Sequence, residues 1–132
     1  GIMFNNIVKN NKKKIAIQFS ENEKYSYADL DLISEQIIIF FKSLNLKMND
    51  KIIIESKKNI YTYAMIVASL KMGISYTFVD MQEAFNRSKK IVQKVKPAKI
   101  FLFEKGIKFT NGFLLSKIIL SKISNIIVKK KI

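Results

Sequence analysis

Residues 59–80 read NIYTYAMIVASLKMGISYTFVD, and this stretch decides the fold of the chain. Its first part, Tyr63 to Leu70, is almost entirely apolar, which predicts a helix buried on nearly every side. Gly73 follows, and glycine just past the last apolar residues usually ends a helix because it adopts the left-handed conformation without a steric clash. Ile74 to Val79 is rich in strand-forming residues and ends at Asp80, which predicts a buried strand. The stretch therefore predicts a helix that leads directly into a core strand.

The residues before this stretch predict a hairpin, a helix and a strand. Apolar residues alternate over Ile15 to Phe19, and Lys24 to Ser26 follows a polar turn, which together predict the hairpin. Ser26 to Asp29 carries a helix-capping signature, a serine with an acidic residue three positions on. The apolar stripe of the following helix consists of Leu30, Ile33, Ile37, Phe40, Phe41 and Leu44. Asn45 is suited to end that helix, and the three adjacent isoleucines within Lys51 to Glu55 predict a central parallel strand buried on both faces.

The residues after the stretch continue the alternation. A third helix is expected from Ala84 to Lys96, where Pro97 ends it because proline disfavours helix in the residue before it. Its inward face is expected to consist of Phe85, Ser88, Val92 and Val95. Lys99 to Phe103 predicts another strand. A fourth helix from Phe113 to Lys122 and a final strand from Asn125 to Val128 complete the predicted elements.

The order of these elements predicts the fold class. Strands that alternate with helices of this length imply right-handed crossovers and a parallel sheet. We therefore expect an α/β fold in three layers, with a mostly parallel sheet, helices on both faces and a β-hairpin in front. Residues 1–132 are expected to form a single domain, in which residues 1–14 are a short helix or a loose leading arm.

The composition excludes several classes of protein. The chain has no cysteine and no histidine, which excludes disulfides, Ser-His-Asp and Cys-His catalysis, and the commonest zinc ligand. No apolar run approaches the ~20 residues that are needed to cross a bilayer, and the start of the chain lacks a signal-peptide pattern. A soluble cytoplasmic protein is the expectation.

The charge is strongly positive, at +14, and all but one of the 24 basic residues are lysine. Clustered lysines can bind a polyanion by displacing counterions from its phosphates. However, isoleucine and asparagine are also abundant, as an A/T-biased genome would produce, and Arg87 is the only arginine. Nucleic-acid sites usually need arginine forks and exposed aromatic side chains as well. Nucleic-acid binding is therefore not expected.

The sequence contains few residue patterns that are typical of catalytic or ligand-binding sites. The four glycines form neither GxGxxG nor GxxxxGK[ST], so no phosphate-binding loop is present. Asp80 and Glu83 are the only acidic pair beyond a strand end, where open α/β sheets bind ligands. A carboxylate that caps the next helix or orders its loop explains Asp80 more simply. Tyr61, Tyr63 and Tyr76 could form a stacking platform, but their places on a buried helix and strand favour core packing.

Several segments match, in order, the motifs of one enzyme superfamily. Tyr25 to Leu30 (YSYADL) is similar to L-T-Y-x-E-L, and Asn49 to Ile54 (NDKIII) is similar to G-D-x-V-A-I in degraded form. The most specific match is Leu70 to Asp80 (LKMGISYTFVD), which is similar to L-K-A-G-A-A-Y-V-P-L-D. Residues 84–103 parallel A-E-R-L-x-x-I-L-x-x-x-x-P-x-x-L-L. The chain thus resembles, from about Ile15 to Phe103, the adenylate-forming enzymes: acyl-CoA synthetases, nonribosomal peptide synthetase adenylation domains and luciferases.

This resemblance implies that the chain is the N-terminal part of an AMP-binding (adenylation) domain. The parent enzyme would use Mg²⁺ and ATP to convert a carboxylate to an acyl-adenylate and pyrophosphate. It would then pass the acyl group to coenzyme A or to a carrier-protein thiol. The family motif residues in this chain have structural roles in packing and turns, and they are Tyr27, Leu30, Asp50, Lys71, Gly73, Tyr76 and Asp80. The resemblance assigns no catalytic, cofactor-binding or metal-binding residue here.

The chain also departs from the family pattern. Phe78 and Met81 stand where many members have proline, and Asn49 stands where they have glycine. The phosphate-binding loop S-G-T-T-G-x-P-K-G, the later adenine and ribose motifs and the C-terminal catalytic lysine do not occur. By itself the chain is therefore expected to bind no cofactor and to be inactive, with the remainder of the adenylation domain as its partner. The alternative is a non-enzymatic α/β module or pseudoenzyme remnant. Such a module would associate with a partner, with itself through an exposed sheet surface, or with an anionic surface through its lysines.

Overall fold

The computed structural model describes residues 9, 12–80, 85–103 and 112–115. In chain order, the elements within these ranges are β1 (Ile15–Ser20), β2 (Glu23–Ser26), α1 (Tyr27–Ser43), β3 (Lys51–Glu55), α2 (Ile60–Met72), β4 (Ser75–Val79), α3 (Phe85–Val95), β5 (Lys99–Leu102) and β6 (Gly112–Leu114). The predicted hairpin and the alternation of helices and strands up to β5 are confirmed. No helix in these ranges is both long enough and apolar enough to cross a membrane.

Within the described residues, the main sheet has four parallel strands in the order β4-β3-β5-β6. The central strand β3 pairs with β4 on one side and with β5 on the other, so that Ile53 lies beside both Thr77 and Ile100. Its three isoleucines, Ile52, Ile53 and Ile54, are fully buried. Side chains that point to both faces of a sheet are all buried only where both faces are covered, which confirms the prediction of a central parallel strand.

Helices cover both faces of this sheet. On one face, Ile52, Ile54 and Phe101 pack in a core with the apolar residues of α1 and α2. On the other face, Ile53, Val79, Ile100 and Leu102 pack against Ile91, Val92 and Val95 of α3. The predicted α/β fold in three layers is therefore confirmed. Of the residues predicted on the inward face of α3, Ser88 is buried, and Val92 and Val95 contact the sheet. The side chain of Phe85 is not among those that the structure describes.

The hairpin β1-β2 forms a separate two-stranded antiparallel sheet against the α1–α2 side. Phe19 of β1 lies with its ring centroid 6.2 Å from that of Tyr25 and 5.9 Å from that of Tyr63 on α2. The hairpin is therefore fixed to the domain by aromatic contacts. The hydroxyl of Tyr25 donates a hydrogen bond to Glu23 Oε1 at 3.2 Å.

Burial, together with the nearby carboxylate of Glu23, raises the pKa of Tyr25 from 10.0 to about 12. The folded state thus favours the protonated phenol, so the stability that Tyr25 contributes is present below pH 10 and is lost as the pH rises through about 12. We expect Tyr25→Phe to remove a tyrosinate absorbance step near pH 12, and Glu23→Gln to move that step to lower pH. A step near pH 12 that persists in Tyr25→Phe would show that another group produces it.

The predicted helix ends are formed as expected. The Ser26 hydroxyl accepts a hydrogen bond from the Asp29 N–H at 3.1 Å, and the Asp29 carboxylate accepts one from the Ser26 N–H at 3.0 Å. Asn59 caps the start of α2 by accepting from the Thr62 N–H at 2.9 Å. Gly73 ends α2 with φ +72°, and Asn45, just beyond α1, has φ +63°. The capping box and the left-handed helix ends are therefore confirmed.

One expectation from the sequence is wrong, and another holds for only part of its segment. Phe113 and Leu114 do not begin a helix; with Gly112 they form β6, because this segment pairs with β5 and the Phe113 ring packs 5.3 Å from that of Phe40. The remainder of the predicted fourth helix and the final strand lie outside the described residues. The predicted burial of α2 is confirmed for its middle, where five of the six residues from Ala64 to Ser69 are buried, whereas Leu70 is 60% and Tyr63 is 38% exposed. The contacts that α1, β4 and Phe19 of the hairpin make with α2 leave these two side chains exposed.

Candidate functional site

The carboxyl end of the parallel sheet is the first candidate site, since open α/β sheets bind ligands there. Glu55 ends β3 with a fully buried side chain, and its Oε1 accepts a hydrogen bond from the Phe103 N–H at 2.7 Å. Asp80 follows β4 and is exposed. Ser88 of α3 donates from its Oγ to the Asp80 carbonyl at 3.2 Å. These contacts attach the segments after β4 and β5 to the central strand and to α3.

Asp80 was predicted from the sequence as a candidate site residue, whereas Glu55 was not. The prediction that Asp80 caps the next helix concerns residues 81–84, which lie outside the described residues, so it stays a prediction. Glu55 could have been recognised as an acidic residue directly after three isoleucines, where the strand is buried on both faces. A buried carboxylate that accepts a backbone N–H is typical of a group that fixes a loop.

The opposite end of the sheet holds two of the predicted motif residues, Asp50 and Gly73. The carbonyl of Gly73 accepts a hydrogen bond from the Asn49 N–H at 2.9 Å, and the carbonyl of Asp50 accepts one from the Ser75 N–H at 3.0 Å. The Asp50 carboxylate also accepts from the Lys47 N–H at 2.9 Å. Asn49 has φ +74°, a left-handed conformation that glycine adopts readily and that asparagine tolerates. These residues set where β3 and β4 begin.

Three further motif residues contribute to packing. Leu30 of α1 is 5% exposed in the main core. Tyr27 begins α1, and its N–H donates to the Lys14 carbonyl at 3.1 Å, which ties the helix to the segment before β1. Tyr76 of β4 packs against the same core as Leu30, with its ring 5.7 Å from that of Phe78. Of the tyrosines predicted to pack in the core, Tyr61 and Tyr76 are half-buried, and the exposed ring of Tyr63 lies against Phe19.

Lys71 is the centre of a polar network between two helices. Its side chain is only 7% exposed, and its Nζ lies 2.8 Å from both Ser34 Oγ and Glu35 Oε1 of α1. The same Nζ forms an ion pair with Asp31. Lys71 does stand in the last turn of α2, where a cation suits the helix dipole, but its closest contacts are to α1. The one signal in the sequence was Ser34, a polar residue within the buried face of α1.

We expect Lys71→Met to lower the free energy of unfolding by about 2 kcal/mol. Methionine keeps most of the apolar stem but leaves Asp31 and Glu35 without this counter-charge, and removing one partner of a fully buried pair costs about 3–5 kcal/mol. The two carboxylate side chains are 31% and 53% exposed, so water screens part of the loss. Urea unfolding measures the change, with exposed Lys42→Met on α1 as the matched control. Equal effects of the two substitutions would contradict this role for Lys71.

The described residues do not assemble a site for a metal–nucleotide complex. No group of three or more acidic, histidine or cysteine side chains within the described ranges could hold a metal ion. At the carboxyl end of the sheet, Glu55 is engaged by the Phe103 N–H and lies away from solvent. Within the described ranges, Mg²⁺ would therefore find no such group of ligands. What the described residues build is a scaffold of caps, turns and packed layers.

Solved adenylation-domain structures share this fold. NpsA of Klebsiella oxytoca, in complex with 3-hydroxyanthranilyl-AMSN, matches with a TM-score of 0.80 at 15% identity, over 94% of this chain and 25% of that one. The N-terminal subdomain of NpsA matches with a TM-score of 0.79 at 15% identity, over 94% and 32% of the two chains. VinN, in complex with L-aspartate, matches with a TM-score of 0.82 at 8% identity, over 94% and 36%. The chain therefore has the fold seen in the N-terminal part of adenylation domains.

These likenesses concern the fold alone, because the identities are only 8–15%. The chain spans between 25% and 36% of the length of these solved chains. No family model and no curated protein sequence matches the chain.

Proposed function

We propose that this chain is the N-terminal part of an ATP-dependent, carboxylate-activating ligase. The whole enzyme would form an acyl-adenylate and pyrophosphate, and then transfer the acyl group to coenzyme A or to a carrier-protein thiol. The observation that carries the proposal is the match of fold to NpsA and VinN over 94% of the chain. The motif order from Tyr25 to Asp80 supports it independently, since it comes from the sequence.

Within such an enzyme, this chain would supply the scaffold and not the reacting groups. Asp50 and Gly73 align the starts of β3 and β4, Lys71 joins α1 to α2, and Glu55 holds the segment after β5. In phosphoryl and nucleotidyl transfer, the rate comes largely from positioning and charge stabilisation by a phosphate loop, a metal and basic groups. The Gly/Ser/Thr-rich loop of the family is not in this sequence, so those groups would come from the remainder of the domain.

Exposed apolar surface supports a partner for this scaffold. Leu70 and Tyr63 on α2 are 60% and 38% exposed, and Phe78 on β4 is 40% exposed. β4 is an edge strand of the described sheet and has no charged residue or proline, which are usual protections of a free edge. The solved chains with this fold are about three to four times as long, so most of such a domain would lie outside this chain. We expect part of it to cover α2 and β4.

The proposal is tested by acid-dependent exchange of pyrophosphate into ATP. The 132-residue chain is compared with a product that extends downstream of Ile132 in the same reading frame, over a panel of amino acids, aryl acids and fatty acids. We expect exchange only in the extended product and with only some acids. Exchange by the 132-residue chain would show that the missing loop is dispensable. Failure of the extended product with every acid class would overturn the ligase assignment.

A further inference from the structure

The outward face of α3 is strongly basic. Arg87, Lys90 and Lys94 follow a three- and four-residue spacing, so they lie along one side of the helix, and all three are exposed. Ile91, Val92 and Val95 of the same helix pack against the sheet. The helix reads FNRSKKIVQKV and contains no acidic residue. The helix itself therefore contains no negatively charged side chain to balance these basic residues.

The basic surface continues beyond the end of α3. Lys96 and Lys51 are exposed, and the N–H of Ala98, two residues after Lys96, donates to the Lys51 carbonyl at 2.8 Å. Both lysines thus lie where the chain leaves α3 and enters the sheet. We call Arg87, Lys90, Lys94, Lys96 and Lys51 the α3 basic face. Cations near the C-terminal end of a helix are also stabilised by its dipole, which allows them to gather there.

The charge differs between the two outer layers of the fold. On the other side of the sheet, α1 carries three acidic residues and one basic residue, and two of the acidic ones hold Lys71. If the excess of lysine were only a matter of composition, the helices of both layers would be positively charged. Instead, α3 carries four basic residues and no acidic residue. A biased composition therefore does not by itself account for the α3 basic face.

The types of side chain on the α3 basic face indicate which class of polyanion it fits. The large apolar side chains that are exposed in the described ranges lie elsewhere: Ile15, Ile39, Met48, Tyr63, Leu70 and Phe78. Protein interfaces enrich aromatic residues and deplete lysine, and single-stranded nucleic-acid sites stack bases on aromatic rings. A lysine-rich surface without apolar or aromatic residues instead fits a diffuse layer of anionic lipid headgroups, which attracts lysine and arginine without demanding shape.

We propose that the α3 basic face docks the protein on an anionic lipid surface. The contact is peripheral and electrostatic, because the apolar side of α3 is already packed on the sheet and is not available to insert into lipid. The proposal is independent of the ligase function and would give such an enzyme a location at a membrane surface. Each basic residue near an anionic bilayer contributes about fivefold to binding, and raising the salt weakens the attraction.

The test is co-sedimentation of the 132-residue chain with vesicles of 70% phosphatidylcholine and 30% phosphatidylserine. The variant Arg87→Gln/Lys90→Gln/Lys94→Gln removes three charges from the α3 basic face. The matched control Lys13→Gln/Lys24→Gln/Lys42→Gln removes three exposed charges from the segment before β1, from β2 and from α1, so the two variants have the same net charge. Far-UV circular dichroism and thermal unfolding check that both remain folded.

We expect the unmodified chain to bind these vesicles and not pure phosphatidylcholine. The α3 variant should bind about 100-fold more weakly, and the control less than tenfold more weakly. Soluble glycerophosphoserine should not compete, because a single headgroup lacks the density of a bilayer. The proposal is overturned if both variants lose binding equally, if the unmodified chain does not bind, or if only transfer RNA binds through the α3 basic face.

Discussion

Replacing Phe101 with alanine is expected to lower the free energy of unfolding by about 4 kcal/mol. Phe101 is fully buried in β5, and its ring is stacked on that of Phe41 with the centroids 5.1 Å apart. The rings of Phe40 and Phe113 lie 6.0 and 6.3 Å away. Alanine would leave a cavity between α1, β5 and β6, because these neighbours belong to two separate elements, α1 and β6, and cannot all close around it.

Urea unfolding monitored by circular dichroism measures this loss. The matched control is Phe78→Ala, which removes the same atoms from a side chain that is 40% exposed at the edge strand β4. We expect the control to cost less than about 1.5 kcal/mol, since burying an apolar side chain contributes in proportion to the area removed from water. Similar losses in the two variants would mean that Phe101 does not lie in a closed core.

The second large effect is expected at Gly73, where valine should lower the free energy of unfolding by about 3 kcal/mol. Gly73 has φ +72°, a conformation that costs an ordinary residue about 1–2 kcal/mol and a β-branched residue more. A Cβ at this position would lie 3.1 Å from Met48 Cγ. The Met48 side chain is 68% exposed and can move aside, so most of the cost comes from the backbone.

Asparagine at position 73 separates these two causes. Asparagine tolerates the left-handed region better than other residues with a Cβ, so Gly73→Asn should cost no more than about 1 kcal/mol although it introduces the same Cβ. Thermal and urea unfolding of both variants provide the comparison. If valine and asparagine destabilise equally, the close approach to Met48 and not the backbone conformation sets the effect.

The parts of the fold that could be predicted from the sequence are those with local causes. Gly73 ended α2 because of its backbone freedom, and the capping box at Ser26 and Asp29 began α1 through groups three residues apart. The three isoleucines of β3 required burial on both faces and therefore a central strand. Each of these features is encoded within a few residues, and each is confirmed.

The parts that could not be predicted depend on contacts between distant segments. β6 has only three residues, too few to show a period, and it forms because β5 offers a free edge and Phe113 reaches the aromatic core. The exposure of Tyr63 and Leu70 on α2 depends on which elements pack around them. The Lys71 network joins residues that are 36 to 40 positions apart in the sequence, so no local sequence pattern predicts it.

The candidate site was predictable only in outline. Asp80 was singled out because it follows a strand, and it does lie at the carboxyl end of the sheet. Glu55 becomes notable only when the fold shows that it is fully buried and accepts the Phe103 N–H. The reacting groups expected of an adenylate-forming enzyme are not among the described residues. The sequence of this chain therefore predicts residues with structural roles and no catalytic residue.

The central claim, that this chain is the N-terminal part of a longer ligase, is tested most directly by sequencing the transcript that encodes it beyond Ile132. We predict that the reading frame continues into a Gly/Ser/Thr-rich loop ending in Pro-Lys-Gly. We also predict a total length about three to four times that of this chain, as in the solved structures that share its fold. A stop codon directly after Ile132, with no second chain that supplies the loop and purifies with this one, would contradict the claim.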